Sequence, residues 1–344
     1  MFSIRRSTLK PTLDISVIVC CHDERFIYNF VDSVKKSFGV TYEIIVVSSC
    51  KALTMKGIAG CIMLNGPAMP AAKRNLGAKE ARGKYLAFFD DDVEINPDCL
   101  SVYLNSFVNH TDGMFYGKLW NMEFRDRFDE AGGFLTWTGF IWSRAQQNDY
   151  DNGQFDKIEP ILAGKSASCI ILKSIFDKVG GFDEDFGILG EETDLSWRVW
   201  HLGYNVLFQP MATGWHAFNT KFKPPQDYYT SARVQYNGCR NYITMLIKNL
   251  EWRNLCLILP LHISVWVLAG LLMVVTGKFT QGINIFRGLL YVPLNLGLIL
   301  RKRRKVQSER IKRDSEILPI ITARPSRAYY TQRFSRYLKI GLHG

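Results

Sequence analysis

The sequence predicts an α/β domain built on a parallel sheet, followed by a helical region associated with a membrane. Buried strands are indicated by β-branched apolar runs at residues 15–21 and 42–47 and by an aromatic-rich run at 84–89. Helical spacing of apolar residues between the first two runs gives the order strand, helix, strand, which favours parallel pairing. Residues 255–275 contain no Asp, Glu, Lys or Arg, and this stretch is long enough to cross a bilayer core of about 30 Å.

Further elements follow from local patterns along the chain. The Ala-rich segment 68–82 predicts a helix ended by Gly83, a residue suited to a left-handed cap. Residues 191–201 predict a second helix, and the apolar run 206–208 predicts another strand. The aromatic- and Gly-rich stretch 110–165 has weak periodicity, so we expect it to continue the sheet and to supply substrate loops.

The positive charge is concentrated near the C-terminus. The chain has a formal net charge of +11, and the largest excess lies in residues 301–313. The basic segment follows two apolar stretches, which favours an anionic membrane surface over nucleic acid as its partner. The second apolar stretch, 283–300, contains Arg287 and Pro293, so it predicts a tilted span, a re-entrant hairpin or an interfacial helix.

Three regions are expected from these shifts in composition. They are a catalytic domain over residues 1–250, a spanning or interfacial helical hairpin over 251–300, and a basic cytosolic tail over 301–344. The eight cysteines form no C-x-x-C pair or zinc-ligand spacing, which indicates a reduced, cytosolic compartment. Residues 1–14 lack the apolar segment of a secretory signal.

Three adjacent carboxylates, Asp90, Asp91 and Asp92, directly follow a predicted strand. Adjacent carboxylates repel one another, and a hard divalent cation relieves the repulsion because Mg²⁺ and Mn²⁺ prefer oxygen ligands. Ligands of open α/β sheets collect at the carboxyl ends of strands. The triplet therefore predicts a metal site, and an acidic solvated loop is the alternative.

Several ordered motifs accompany this triplet. They are Ser16-Val-Ile-Val-Cys-Cys-His-Asp-Glu24, Glu43-Ile-Ile-Val-Val47, Ala72-Lys-Arg-Asn-Leu-Gly77, Gly83-Lys-Tyr-Leu-Ala-Phe-Phe-Asp-Asp-Asp92, Gly180-Gly-Phe-Asp-Glu184, Glu191-Glu-Thr-Asp-Leu-Ser-Trp-Arg198, Gly203-Tyr204 and Trp215-His216. Because these motifs occur in the order typical of the family, the chain resembles the family 2 glycosyltransferases over about residues 14–250. The resemblance implies the GT-A fold, a Rossmann-like mixed sheet with helices on both faces.

The resemblance also implies the residues of a site. Mg²⁺ or Mn²⁺ would be held by Asp90, Asp92 and His216. Donor-binding positions carried over from the family are Asp23, Glu24, Arg74, Asn75 and Asp91. Acceptor-binding positions carried over in the same way are Gly164, Ser166, Glu191 and Arg240.

A second acidic cluster begins the predicted helix at residue 191. Inverting sugar transfer needs a carboxylate that takes the proton of the acceptor hydroxyl. Neighbouring carboxylates raise the pKa of such a base. Alignment with the family's E-D-x-D-L pattern places Glu192 at the base position, and Asp194 is the second choice. The position of Glu191 is also explained by the preference of acidic residues for a helix N-terminus.

Some positions depart from the family pattern. Many relatives carry an Asp after the second strand to bind the nucleobase, whereas this chain has Ser48-Ser49-Cys50. The nucleotide is therefore left open among uridine, thymidine and guanosine. Tyr236, Arg240 and Asn241 are similar to a motif of the rhamnosyltransferase-like, membrane-associated branch, which favours a lipid-linked saccharide as the acceptor.

Together these features predict an inverting glycosyltransferase at the cytosolic face of the cell membrane. It would move a sugar from a nucleotide-sugar donor to a hydroxyl of a lipid-linked glycan. A polyprenyl-phosphate sugar synthase is a second hypothesis, and a non-catalytic membrane scaffold on a degenerate GT-A domain is a third. A nucleotidyltransferase is disfavoured, because no Gly-rich, Arg-containing phosphate loop follows the first strand.

Overall fold

A mixed sheet organises the N-terminal two thirds of the protein. The computed structural model describes residues 13–22, 24–109, 113–145, 149–217 and 231–325. The strands of this part of the chain are β1 (Ile15–Cys21), β2 (Tyr42–Ser48), β3 (Cys61–Asn65), β4 (Tyr85–Asp90), β5 (Val93–Ile95), β6 (Met114–Asn121), β7 (Phe128–Glu130), β8 (Gly133–Leu135), β9 (Ile141–Ser143), β10 (Glu159–Pro160), β11 (Ser168–Leu172) and β12 (Val206–His216). The α/β class predicted from the sequence is confirmed.

The main sheet has the strand order β10-β12-β6-β11-β4-β1-β2-β3, with β5 paired to β12 and β7 paired to β6. Strand β1 is parallel to both β2 and β4, and β11 inserts antiparallel between β4 and β6. In this register Cys20 lies opposite Asp90, so the first strand and the acidic triplet end at the same edge of the sheet. That edge is where the crossovers of a parallel sheet leave room for a site.

Helices cover both faces of this sheet. Those of the described chain are α1 (Glu24–Lys35), α2 (Lys51–Lys56), α3 (Pro70–Glu80), α4 (Cys99–Asn109), α5 (Lys173–Val179), α6 (Glu191–His201), α7 (Ala232–Asn249), α8 (Trp252–Val275), α9 (Phe279–Leu294), α10 (Leu296–Ser308) and α11 (Asp314–Ile321). Alternate residues of β1 contribute to two hydrophobic cores, one on each face of the sheet, because successive side chains of a strand point to opposite faces. Ile18 packs with α3, α5 and α6, whereas Val17 and Val19 pack with α1 and α4.

Gly83 corrects one expectation. Helix α3 ends at Glu80 and the following Ala81 is extended, so Gly83 does not cap it in the left-handed conformation. A Cβ at Gly83 would instead lie 2.4 Å from the backbone nitrogen of Ser16, and the glycine therefore permits close approach to β1. A left-handed glycine cap does end α5, at Gly180, with φ of 81°.

The C-terminal helices pack against the domain that contains the sheet. Helix α7 contacts α8, α9 and α10. In α8, the fully buried His262 donates from Nδ1 to the carbonyl of Thr138 at 2.8 Å, and Trp266 Nε1 donates to His262 Nε2 at 3.0 Å. The histidine that interrupts the apolar stretch is thus a docking contact to the domain.

By length and apolar composition, α8 can cross a membrane, and α9 and α10 together form a second candidate that bends by 67° between them. The predicted boundary at residue 300 lies inside α10, so the basic run forms the end of this helix. After α10 the chain returns to the domain, where the backbone N–H of Ile311 donates to His201 O at 2.8 Å. Asp314 Oδ2 accepts from the N–H of Glu251 at 2.8 Å.

Candidate active site

Asp90, Asp92 and His216 lie together at the carboxyl edge of the sheet. Each offers a ligand atom, and these atoms all lie within 4.8 Å of one another. The register of β12 on β5 explains the contact, since His216 lies opposite Val93, the residue after Asp92. Tertiary pairing thus brings a histidine to within 3.3 Å of the Asp92 carboxylate, measured from Nε2 to Oδ1.

The other ring nitrogen of His216 is held by a residue that the sequence did not single out. Asp129 Oδ2 lies 2.7 Å from His216 Nδ1 and 2.8 Å from the Lys165 ammonium. Burial opposes ionisation of Asp129, but Lys165 and His216 outweigh it and lower its pKa to about 2. Nothing in the local sequence marks Asp129, because the contact is made between separate strands.

This arrangement fits a divalent cation. Metal-bound histidines usually donate their second ring N–H to a carboxylate, which fixes the tautomer and the ring orientation. Here the carboxylate of Asp129 engages Nδ1, so Nε2 faces Asp92. Two carboxylates and one imidazole form a hard oxygen-rich donor set, and Asp90, Asp92 and His216 are the residues that can hold the ion.

A buried arginine connects the metal-ligating cluster to the second acidic cluster. Arg74, on α3, donates from Nη2 to Asp90 Oδ1 at 2.9 Å and from Nη1 to Glu191 Oε1 at 3.0 Å. Its guanidinium also lies over the ring of Phe182, 5.4 Å from the centroid. The end of β4 and the start of α6 are therefore held next to each other by one guanidinium.

Glu192 and Asp194 have opposite environments within one turn of α6. Glu192 is half-buried, and burial together with the adjacent Glu191 carboxylate raises its pKa well above the usual range. Asp194 is fully buried, with its carboxylate 2.9 Å from Arg198 Nε, from Lys248 Nζ and from Asn249 Nδ2. Burial opposes its ionisation, but Lys248 and Arg198 lower its pKa.

The predicted donor-binding residues fall into separate environments. Asp23 lies outside the described residues. Glu24 begins α1 and accepts from the thiol of Cys50 at 2.8 Å. Asn75 binds the backbone of Phe182 on both its amide atoms, at 2.9 Å each. Asp91 is buried and accepts from the backbone N–H of His22 at 2.6 Å, so it shapes the loop that follows β1.

The predicted acceptor-binding residues are also separated. Gly164 makes room for Tyr116, since a Cβ there would lie 2.8 Å from the ring. Ser166 is buried nearby in the chain, before β11. Arg240, on α7, donates to the backbone carbonyls of Asp185 at 2.9 Å and Phe186 at 3.2 Å. These hydrogen bonds are with the loop before α6, and the guanidinium also lies over the rings of Tyr236 and Tyr291.

The fold and the paired acidic clusters define the chain as a GT-A glycosyltransferase-type domain. Residues 16–156 match the family described as Glycosyl transferase family 2. This match confirms the family resemblance given by the motifs over residues 16–156. The rhamnosyltransferase-like branch stays a prediction.

Curated relatives share part of this domain. The chain is 27% identical over 172 residues to polypeptide N-acetylgalactosaminyltransferase 3 of Taeniopygia guttata, a match covering 43% of this chain and 26% of that protein. It is 26% identical over 181 residues to polypeptide N-acetylgalactosaminyltransferase 14 of Homo sapiens, covering 50% and 33% respectively. The chain spans about a quarter to a third of the length of these relatives.

Solved structures share the fold. The crystal structure of GalNAc-T7 with UDP, GalNAc and Mn²⁺ superposes with a TM-score of 0.53 at 17% identity, covering 70% of this chain and 48% of that chain. The mannosyltransferase PcManGT from Pyrobaculum calidifontis, in complex with GDP-Man and Mn²⁺, superposes with a TM-score of 0.50 at 11% identity. That match covers 97% of this chain and 87% of the other.

Proposed function

We propose that the protein is a metal-dependent glycosyltransferase that moves a sugar from a nucleotide-sugar donor to a hydroxyl of a glycan acceptor. One observation carries the proposal: a buried arginine links the Asp90–Asp92–His216 cluster to the helix that bears the Glu192 carboxyl. Arg74 joins the two clusters by contacting Asp90 and Glu191 at 2.9 and 3.0 Å. The family match over residues 16–156 supports the same reaction class.

Asp90, Asp92 and His216 would hold Mn²⁺ or Mg²⁺. A bound ion supplies a Lewis acid that neutralises charge on the departing diphosphate. The GalNAc-T7 and PcManGT structures, which share the fold, each contain Mn²⁺ with a nucleotide or nucleotide sugar. Asp129 would keep His216 in the tautomer whose Nε2 is directed to the ion.

Glu192 is the residue that we assign as the general base. A base in sugar transfer works best when its pKa approaches the working pH, and burial beside Glu191 raises the pKa of Glu192. Asp194 is less suited, because Arg198, Lys248 and Asn249 occupy its carboxylate. Deprotonation of an attacking hydroxyl by Glu192, opposite the leaving diphosphate, would invert the anomeric centre.

The C-terminal helices support membrane association. Apolar side chains project outward along α8, α9 and the start of α10, including Leu257, Leu268, Val275, Leu290 and Leu294. Because the chain returns to the catalytic domain after α10, the hairpin would enter the membrane from the side on which the domain lies. We assign that side to the cytosol by the tendency of basic residues to stay there.

Only part of the basic run is free to meet anionic lipid. Arg303 is buried and donates to the carbonyl of Leu250 at 2.6 Å, and Lys302 contacts Asp185 at 2.5 Å. Arg301, Arg304 and Lys305 are exposed. Replacing these three by Gln should reduce sedimentation with anionic vesicles while leaving binding to neutral vesicles unchanged. Equal sedimentation with both vesicle types would refute the electrostatic contact.

The full chain in detergent or nanodiscs provides the test of the reaction. A panel of nucleotide sugars with Mn²⁺ is screened for thermal stabilisation, because a ligand that binds the folded state raises its stability. The protein is then incubated with the stabilising donor and with either a lipid-linked glycan or a polyprenyl phosphate as the acceptor. Transfer to the glycan hydroxyl supports the proposal, and transfer only to the phosphate identifies a polyprenyl-phosphate sugar synthase instead.

Two variants check the assigned residues in this assay. Asp92→Asn should abolish both metal-dependent stabilisation by the donor and transfer, while the unliganded protein stays folded. Glu192→Gln should keep donor binding and lose turnover by about 100- to 10,000-fold, the usual contribution of general base catalysis. Unchanged transfer by Asp92→Asn would remove the argument for the metal.

A further inference from the structure

The loop that leads into the acidic helix α6 has a strained backbone. Gly187, Leu189 and Gly190 have φ values of 67°, 72° and 85°. Leu189 is the one non-glycine residue with positive φ in the described part of the chain. Side-chain sterics disfavour this conformation in leucine, and such strain persists only where surrounding contacts impose it.

Asn241, on α7, supplies those contacts. Its amide nitrogen lies 2.9 Å from the carbonyl of Phe186, 2.8 Å from that of Ile188 and 2.8 Å from that of Leu189. The side-chain oxygen accepts from Arg240 Nε at 3.0 Å, which orients the amide with its N–H groups toward the loop. Because Asn241 is buried, water cannot replace these hydrogen bonds.

The same helix holds α6 beyond the loop. Lys248 and Asn249, at the end of α7, contact the buried Asp194 at 2.9 Å each. The first turn of α6 begins at the strained loop, where the N–H of Asp194 donates to Gly190 O at 2.9 Å. Helix α7 therefore fixes both ends of the segment that carries Glu192.

We propose that Asn241 is a positioning residue for Glu192. By binding three carbonyls of the loop backbone, it holds Leu189 in the left-handed conformation and sets where α6 starts. The first turn of α6, which carries Glu192, is thereby held next to the Arg74–Asp90 pair. This inference rests on the proposed role of Glu192 as the base, and it adds a function to α7, the helix that connects the catalytic domain to the apolar hairpin.

The test compares two variants of Asn241 with a matched asparagine on the same helix. Asn241→Ala removes the donor, and Asn241→Asp replaces it with a carboxylate of the same shape that repels carbonyls. Asn237→Ala is the control, because Asn237 donates only to the Arg233 carbonyl one turn earlier, at 2.9 Å, among its described hydrogen bonds. All variants are made in the full chain.

Two readouts are measured on each variant. Hydrogen exchange of the amides at residues 187–192 should accelerate in both Asn241 variants and stay unchanged in the control. The turnover number kcat should fall by about 10- to 100-fold, since a displacement of about 1 Å of a reacting group costs roughly 100-fold. The donor Kd with Mn²⁺ should change by less than about threefold, which separates positioning from loss of the donor site.

Relief of the strain provides a second check. Glycine adopts positive φ without a steric cost, so Leu189→Gly added to Asn241→Ala should recover part of the lost kcat. Unchanged exchange or unchanged kcat in the Asn241 variants would overturn the positioning role. A parallel loss of donor binding would also overturn it, because the residue would then support the whole fold. Absence of transfer by the wild-type protein refutes the proposed function itself, and the two failures are therefore distinct.

Discussion

Replacement of Asp194 by Asn should lower stability strongly and should lower the kcat of the folded enzyme much less than replacement of Glu192 does. The side chain of Asp194 is fully buried and contacts two cations, Arg198 and Lys248, at 2.9 Å each. Removal of one partner of a buried ion pair typically costs about 3–5 kcal/mol, since the remaining charge is left without compensation. Lys248 keeps a second partner in Asp183 at 2.5 Å, so we expect about 3 kcal/mol.

The pH dependence follows from the direction of the shift. Burial opposes ionisation of Asp194, but its cationic neighbours hold the folded-state pKa below the ordinary value. A depressed carboxyl pKa contributes stability above the unfolded pKa, and this contribution is lost as pH falls through the folded pKa. The stability difference between the wild type and Asp194→Asn should therefore be full at pH 7 and shrink in acid.

Denaturant unfolding of the full chain in detergent measures the difference in unfolding free energy. Asp177→Asn is the control, because Asp177 forms an exposed pair with Lys173 at 3.9 Å, and such pairs contribute less than about 1 kcal/mol. Wild-type stability of Asp194→Asn combined with a large loss of kcat would refute this reasoning. It would transfer the role of base from Glu192 to Asp194.

Three further results are expected. The raised folded-state pKa of Glu192 stabilises the wild type at low pH, and this contribution is lost as pH rises through that pKa. Glu192→Gln does not titrate, so denaturant unfolding should show its stability rising relative to the wild type as pH increases. A difference that stays constant with pH would contradict the raised pKa. Asp129→Ala should weaken Mn²⁺ binding by about 10- to 100-fold in calorimetry, whereas Glu130→Gln, which does not contact His216 in the described structure, should bind as the wild type does. Gly83→Ala should cost about 1–3 kcal/mol of unfolding free energy by overpacking against Ser16, and unchanged unfolding would mean that β1 can shift.

Local patterns were sufficient for the strands that carry the site. Runs of β-branched or aromatic apolar residues predicted β1, β2 and β4, because a strand buried on both faces needs a nearly continuous apolar sequence. The position of Asp90, Asp91 and Asp92 after such a run predicted the edge on which they lie. The family motifs added His216. Its contact with the acidic triplet is not evident from spacing alone, because the two are far apart in the sequence.

Other assignments depended on three-dimensional contacts. Asp194 and Glu192 are both acidic residues of one helical turn, and their sequence neighbourhood does not separate them. Burial opposes ionisation of Asp194, but Lys248, on a helix far away in the sequence, and Arg198 lower its pKa. Gly83 illustrates the same limit, since the requirement for glycine arises from the backbone of β1, far away in the chain.

The amino-acid sequence by itself determined the strands β1, β2 and β4, the acidic end of β4 and the apolar C-terminal region, since each depends on residues that are neighbours along the chain. The tertiary structure alone decided that Asp129 orients His216, that Arg74 bridges Asp90 and Glu191, and that Asn241 holds the loop before α6. These contacts join segments that lie 16 to 117 residues apart. Charge and hydrogen bonding at such separations depend on how the elements pack, and packing is a property of the whole fold.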